Sequence, residues 1–161
     1  MERFQLEREK ALKHLRVADH MLTQTYPLVK DPKLLIAVLE NIFRSLSSAM
    51  SSILYYERLF KRIPPFSEDF DSMFNTFKAR CTRRYDINIE YITLIQNIKD
   101  LIQEHKKSPV EFARKDKFVI TTESYHLRII STDKIKEYIS KAKLFIEEMN
   151  NMVSKNDGIF R

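Results

Sequence analysis

The densest positive charge in the chain is carried by Lys78, Arg80, Arg83 and Arg84, with no acid between Lys78 and Tyr85. On a helix Arg80, Arg83 and Arg84 project to one flank, an arrangement that can meet the phosphates of a nucleic acid. A solvated helix end has the same composition, because cations suit the negative pole of the helix dipole. A second group, Arg114, Lys115, Lys117, His126 and Arg128, surrounds an expected hairpin. Phosphate binding gains if the two groups share a face.

Other reactive side chains are few. Cys81 is the only cysteine, which rules out an intrachain disulfide and a cysteine-rich zinc site. It falls on an apolar stripe, which predicts a small buried hydrophobe more than a nucleophile. The four histidines, His14, His20, His105 and His126, form no His-x-x-x-His pair, and no metal is expected. The lone glycine, Gly158, excludes the P-loop and the dinucleotide fingerprint, each of which needs several. No nucleophile signature is present. The chain reads as non-enzymatic, with no cofactor.

The stretch from Arg44 to Ser52 holds five serines and Ala49 in mid-helix. Small side chains there let a second helix approach closely. Two readings follow: tight packing within one chain, or a dimer interface at Ser45, Ser48, Ala49 and Ser52.

The elements that must position these groups are mainly helical. Phe4, Ala11, Leu15, Ala18, Leu22 and Tyr26 recur at helical spacing, and Pro27 marks the approach to that helix's end. Asp31-Pro32 starts a second helix that Pro64-Pro65 stops. Phe66, Phe70, Phe74, Phe77 and Cys81 define a third that begins at Ser67. A fourth follows Asn88 to about Lys106, and a last one starts near Thr132-Asp133. Between these, Phe118–Thr122 and Tyr125–Ile129 are β-branched, aromatic or alternating and predict a small hairpin over about 117–130, turning at Glu123-Ser124. Short connections favour antiparallel neighbours. The expected fold is a mainly α, up-down bundle of four to five helices with a hairpin insertion. One domain spans 1–155, and 156–161 is a frayed tail.

With 161 residues, 43% hydrophobic and 31% charged, the chain is long enough to bury a core. A net charge of +6 permits an acidic partner without requiring one. The first residues are charged and carry no secretory segment, and no apolar run approaches bilayer length. A cytoplasmic protein without membrane contact is expected.

Ala11-Leu12-Lys13-His14-Leu15-Arg16-Val17-Ala18, followed by a long second helix rich in small residues, resembles the HEPN superfamily over about residues 6–53. The resemblance implies a small helical bundle that commonly dimerises, some members being metal-independent ribonucleases. The family's ribonuclease motif is an Arg followed four to six residues later by a His. Arg8 and His14 fit that spacing, but they lie in the first helix, whereas the family places its motif late in the bundle. The resemblance therefore implies a non-catalytic member. Taken together, the sequence favours a non-catalytic helical interaction module. It is expected to be homodimeric and to bind a macromolecular partner, either a protein or, alternatively, RNA through the basic residues. A HEPN-like ribonuclease is the third reading.

Overall fold

The computed structural model describes residues 1–108, 111–114, 116–122 and 124–154. The expected tail at 156–161, Lys115, and Glu123 of the expected turn lie outside the described residues. Helix α1 (Arg3–His20) runs through a π turn at Met21–Thr25 into the single turn α2 (Tyr26–Val29). Helices α3 (Lys33–Leu59), α4 (Phe70–Arg80) and α5 (Ile89–Lys107) follow. Strands β1 (Glu111–Arg114), β2 (Lys117–Thr121) and β3 (Leu127–Ser131) lead into α6 (Thr132–Ser154). The chain is a mainly α bundle with a small antiparallel sheet.

Local chemistry sets most of the boundaries. Asp69 accepts a hydrogen bond from the Ser72 amide (3.0 Å) and caps α4, two residues later than Ser67 predicts. Asn88 caps α5 through the Glu90 amide (2.9 Å). The helices end without glycine. Lys30, Lys61 and Asp86 take left-handed φ values of 53°, 57° and 51°, the conformation that closes a helix C-terminus. At Lys61 the Arg62 amide reaches the Glu57 carbonyl and the Lys61 amide reaches the Arg58 carbonyl. At Asp86 the pattern repeats, from Ile87 to Thr82 and from Asp86 to Arg83.

Helix α3 is the spine. Leu35, Leu39, Ile42, Leu46, Ala49 and Ile53 are all fully buried. They pack against α1, α5 and α6, whose own buried stripes include Ala11, Ile95, Ile98, Ile139, Phe145 and Met149. By length and composition α3 can also span a bilayer, contrary to the sequence expectation, yet more than half of its apolar stretch is buried inside the bundle.

The serine-rich stretch is where α1 crosses α3. Ser45 Oγ donates to the Ala11 carbonyl (2.7 Å) and Ser52 Oγ donates to the Phe4 carbonyl (2.7 Å). Ser45, Ala49 and Ser52 have no exposed surface. At those three residues α1 of the same chain occupies the face where the sequence also allowed a dimer interface. Ser48 alone of the four stays half-buried.

The sheet has the order β1-β2-β3, with Phe118 opposite Ile130 and Val119 opposite Ile129. The expected hairpin is therefore β2–β3, and β1 extends it by one strand. Phe118, Ile120 and Ile130 face the helices and are buried. Leu127 and Ile129 face outward, 60% and 55% exposed. Arg128 to Glu104 (3.3 Å) and His105 to Glu111 (2.8 Å) tie the sheet to the end of α5. Tyr26 Oη donates to Asp116 (2.9 Å), fixing it beside α2.

Candidate nucleic-acid interface

The last turn of α3 carries a carboxylate with no exposed surface, Glu57. A buried carboxylate needs compensating partners, and three side chains supply them. Arg62 Nη1 lies 3.2 Å from Oε1 and Arg84 Nε lies 3.3 Å from Oε2. The Tyr85 hydroxyl also donates to Oε1. The Arg84 contact is an ion pair without hydrogen-bond alignment. Burial, and then Glu57 itself, push the Tyr85 hydroxyl well above its usual range. Burial likewise pushes the Cys81 thiol up to about 12, with Glu57 adding to the effect. Cys81 is a buried, protonated thiol, as its place on the apolar stripe predicts.

This cluster holds the turn 81–86 against the end of α3 and so gathers cations from two places in the sequence. Arg58, Lys61 and Arg62 come from the α3 terminus, and Lys78, Arg80, Arg83 and Arg84 from the α4 terminus. All seven are exposed. Arg62 and Arg84 are partly spent on Glu57. Among the described residues, Arg58, Lys61, Lys78, Arg80 and Arg83 have no acidic partner. Aromatic rings lie between them: Arg58 is 5.4 Å from the Phe66 centroid, Arg62 is 5.1 Å from Phe60, and Lys78 is 4.4 Å from Phe74. The two Schellman-type ends explain the layout. Each turns the chain sharply, so Lys61 leaves the helix axis while Arg62 folds back onto Glu57.

The second basic group lies elsewhere. Arg84 meets α3 in its last turn, whereas Asp116 bonds Tyr26 just before α3 begins. Between Lys33 and Glu57 the helix rises about 36 Å. Arg114, Lys117 and Arg128 therefore sit at the opposite end of the bundle from Lys78, Arg80, Arg83 and Arg84, and the two groups do not share a face. Arg128 is engaged with Glu104. The α3 cations went unread in the sequence because they look like an ordinary helix end. The available signal is Arg58-x-x-Lys61-Arg62 running into Pro64-Pro65.

Arg8 and His14 make separate local contacts. Arg8 Nη1 donates to Ser154 Oγ (3.4 Å), and His14 Nδ1 lies 3.4 Å from Asn41 Oδ1. Among the described residues no group of three or more His, Cys, Asp or Glu side chains is placed to hold a metal. No protein-family model matches the chain, and comparison with curated proteins gives no match.

Proposed function

We propose that this chain is a non-catalytic helical module that binds single-stranded RNA through the end of the bundle formed by α3, α4 and the turn 81–86. The observation that carries this reading is the set of exposed cations without acidic partners among the described residues, Arg58, Lys61, Lys78, Arg80 and Arg83, interleaved with the partly exposed rings of Phe60 and Phe66. Cations track a phosphate backbone, and aromatic faces accept unstacked bases. The separate engagements of Arg8 and His14 weigh against the two acting together in cleavage.

The test is oligonucleotide affinity against salt. Wild type is expected to lose affinity steeply as salt rises, and the Arg80→Gln/Arg83→Gln variant to show a slope shallower by about 1.4, near 0.7 per lost single-strand phosphate contact. The Lys117→Gln variant, at the far end, is expected to keep the wild-type slope. No binding at low salt, or equal effects from both ends, sinks the proposal.

A second reading concerns a protein partner. We propose that the outward face of the sheet meets a second copy of the chain. Edge strands of monomers are commonly blunted by charge, yet β3 exposes Leu127 and Ile129, and its one cation, Arg128, is turned to Glu104. Light scattering of wild type and of Ile129→Lys tests it: a dimer is expected from the first and a monomer from the second. A wild-type monomer at high concentration ends this reading.

A further inference from the structure

We propose that the groove between α1, α3 and α4 is a nucleobase pocket that seats a base of the same RNA strand whose phosphates cross the basic end. This rests on the RNA reading above and adds to it a second site of different chemistry.

The groove has a volume of about 390 Å³. That lies within the range of small-ligand sites and is too little for a duplex. One wall is aromatic, with Phe43 and Phe70 half-buried and their ring centroids 5.0 Å apart. Met50 and Met73 give an apolar floor. Polar groups point into it from α3. Ser47 Oγ is buried and has no hydrogen-bond partner among the described residues. Among the described residues the only hydrogen-bond partner of Ser51 Oγ is the Met73 sulfur, at 3.9 Å, which is a weak acceptor. A buried hydroxyl left without a partner carries a desolvation cost that a ligand acceptor or donor relieves. Arg44, three positions before Ser47 and hence on the same helix face, is exposed and has no acidic partner among the described residues.

A planar ring with a hydrogen-bonding edge fits this lining better than an aliphatic or highly charged ligand does. The aromatic wall and thioether floor take the ring face, and the serine hydroxyls take its edge. Of the two acids at the groove, only Glu68 keeps its charge without a cationic partner among the described residues. Glu7 is paired with Arg3 (3.3 Å) and Lys10 (3.4 Å), and Glu68 accepts from the Tyr55 hydroxyl (2.8 Å).

The groove is continuous with the basic end. Arg3 and Tyr55 line it and also line the adjoining hollow, whose other walls include Arg58 and Lys61. Arg3 lies 5.0 Å from the Tyr55 ring centroid. From Phe43 to Tyr55 the helix rises about 18 Å, which leaves room for a base at one end and backbone at the other.

The experiment compares a short oligouridylate with an inorganic polyphosphate of equal charge, which has phosphates and no bases. Wild type is expected to bind the RNA about tenfold more tightly, the effect of roughly one stacked base. Ser48→Phe, which fills the groove, is expected to bring RNA affinity down to that of polyphosphate and leave polyphosphate binding unchanged. Arg44→Gln, an exposed change that does not threaten folding, is expected to weaken RNA binding about threefold more than polyphosphate binding. Equal affinity of wild type for both probes overturns the base pocket and leaves the phosphate site standing. So does an unchanged RNA preference in both variants. Loss of binding to both probes in wild type overturns the RNA reading itself.

Discussion

Glu57 and Arg84 meet across the gap between the last turn of α3 and the turn after α4, Nε to Oε2 at 3.3 Å, with the carboxylate wholly buried and the guanidinium half exposed. The pair is better described as an anchor for the basic end than as a phosphate contact. Two members of the cationic cluster, Arg84 and Arg62, are used to hold the others in place. Tyr85 and Arg62 complete the anchor on the other carboxylate oxygen.

Removing that carboxylate should therefore cost more than a surface ion pair. Glu57→Ala leaves the Tyr85 hydroxyl half-buried without its acceptor and leaves two guanidiniums without a counter-charge. The expected loss is about 3 kcal/mol, against about 1 kcal/mol for Tyr85→Phe. Urea unfolding of the two variants and of the double mutant checks this. A loss below about 0.5 kcal/mol for Glu57→Ala would show that the cluster behaves as an exposed pair.

Cys81 gives a second, independent reading of the same region. Its thiol is buried and its pKa is pushed up to about 12, chiefly by burial. An acid raised in the folded state favours folding in its neutral form. Its contribution is whole below the ordinary value near 9 and is lost as pH climbs through about 12. Labelling by a disulfide reagent at pH 8 should be slow and should accelerate with denaturant in step with global unfolding. Fast labelling of the native protein would mean that the turn 81–86 opens on its own.

The helix boundaries were legible because their signals are local. Asp31-Pro32, Asn88 and Thr132 each sit within two residues of an observed boundary, Asp31 and Asn88 acting through their own side chains, whereas α3 ends at Leu59, five residues before Pro64-Pro65. Strand β1 was not legible. Glu111-Phe112-Ala113-Arg114 holds no β-branched residue, and its strand character comes from pairing with β2, Ala113 opposite Phe118. The basic residues were legible as clusters but not as a surface. Which cations lie together depends on α5, whose 19 residues carry the chain from one end of the bundle to the other. The groove was invisible for a related reason. Ser45 and Ser52 turn into α1 while Ser47, Ser48 and Ser51 line open space, and only the crossing of α1 over α3 decides which is which.

The missing glycines make a prediction at Asp86. Its φ of 51° places a Cβ where a left-handed residue is penalised. Asp86→Gly removes that strain at the cost of some unfolded-state entropy, for an expected gain of about 0.5 kcal/mol. It also removes a negative charge from the basic end, so RNA affinity at low salt should rise. Thermal unfolding and oligonucleotide titration read the two effects separately. A lower melting temperature contradicts the assignment of Asp86 as the residue that closes the turn 81–86.

The α1–α3 crossing yields the sharpest contrast between packing within the chain and contact between copies. Ser45 and Ser52 are each fully buried and donate to carbonyls of α1 at 2.7 Å. Leucine at either position adds volume where there is none to fill and pushes the helices apart, at an expected cost of about 1–3 kcal/mol. Ser48→Leu points into the open groove and should stay within about 0.5 kcal/mol of wild type. Were this stripe an interface between copies, the order would reverse. Ser45→Leu and Ser52→Leu would then leave monomer stability intact and change the mass measured by light scattering, so one set of three variants read by both methods decides the matter.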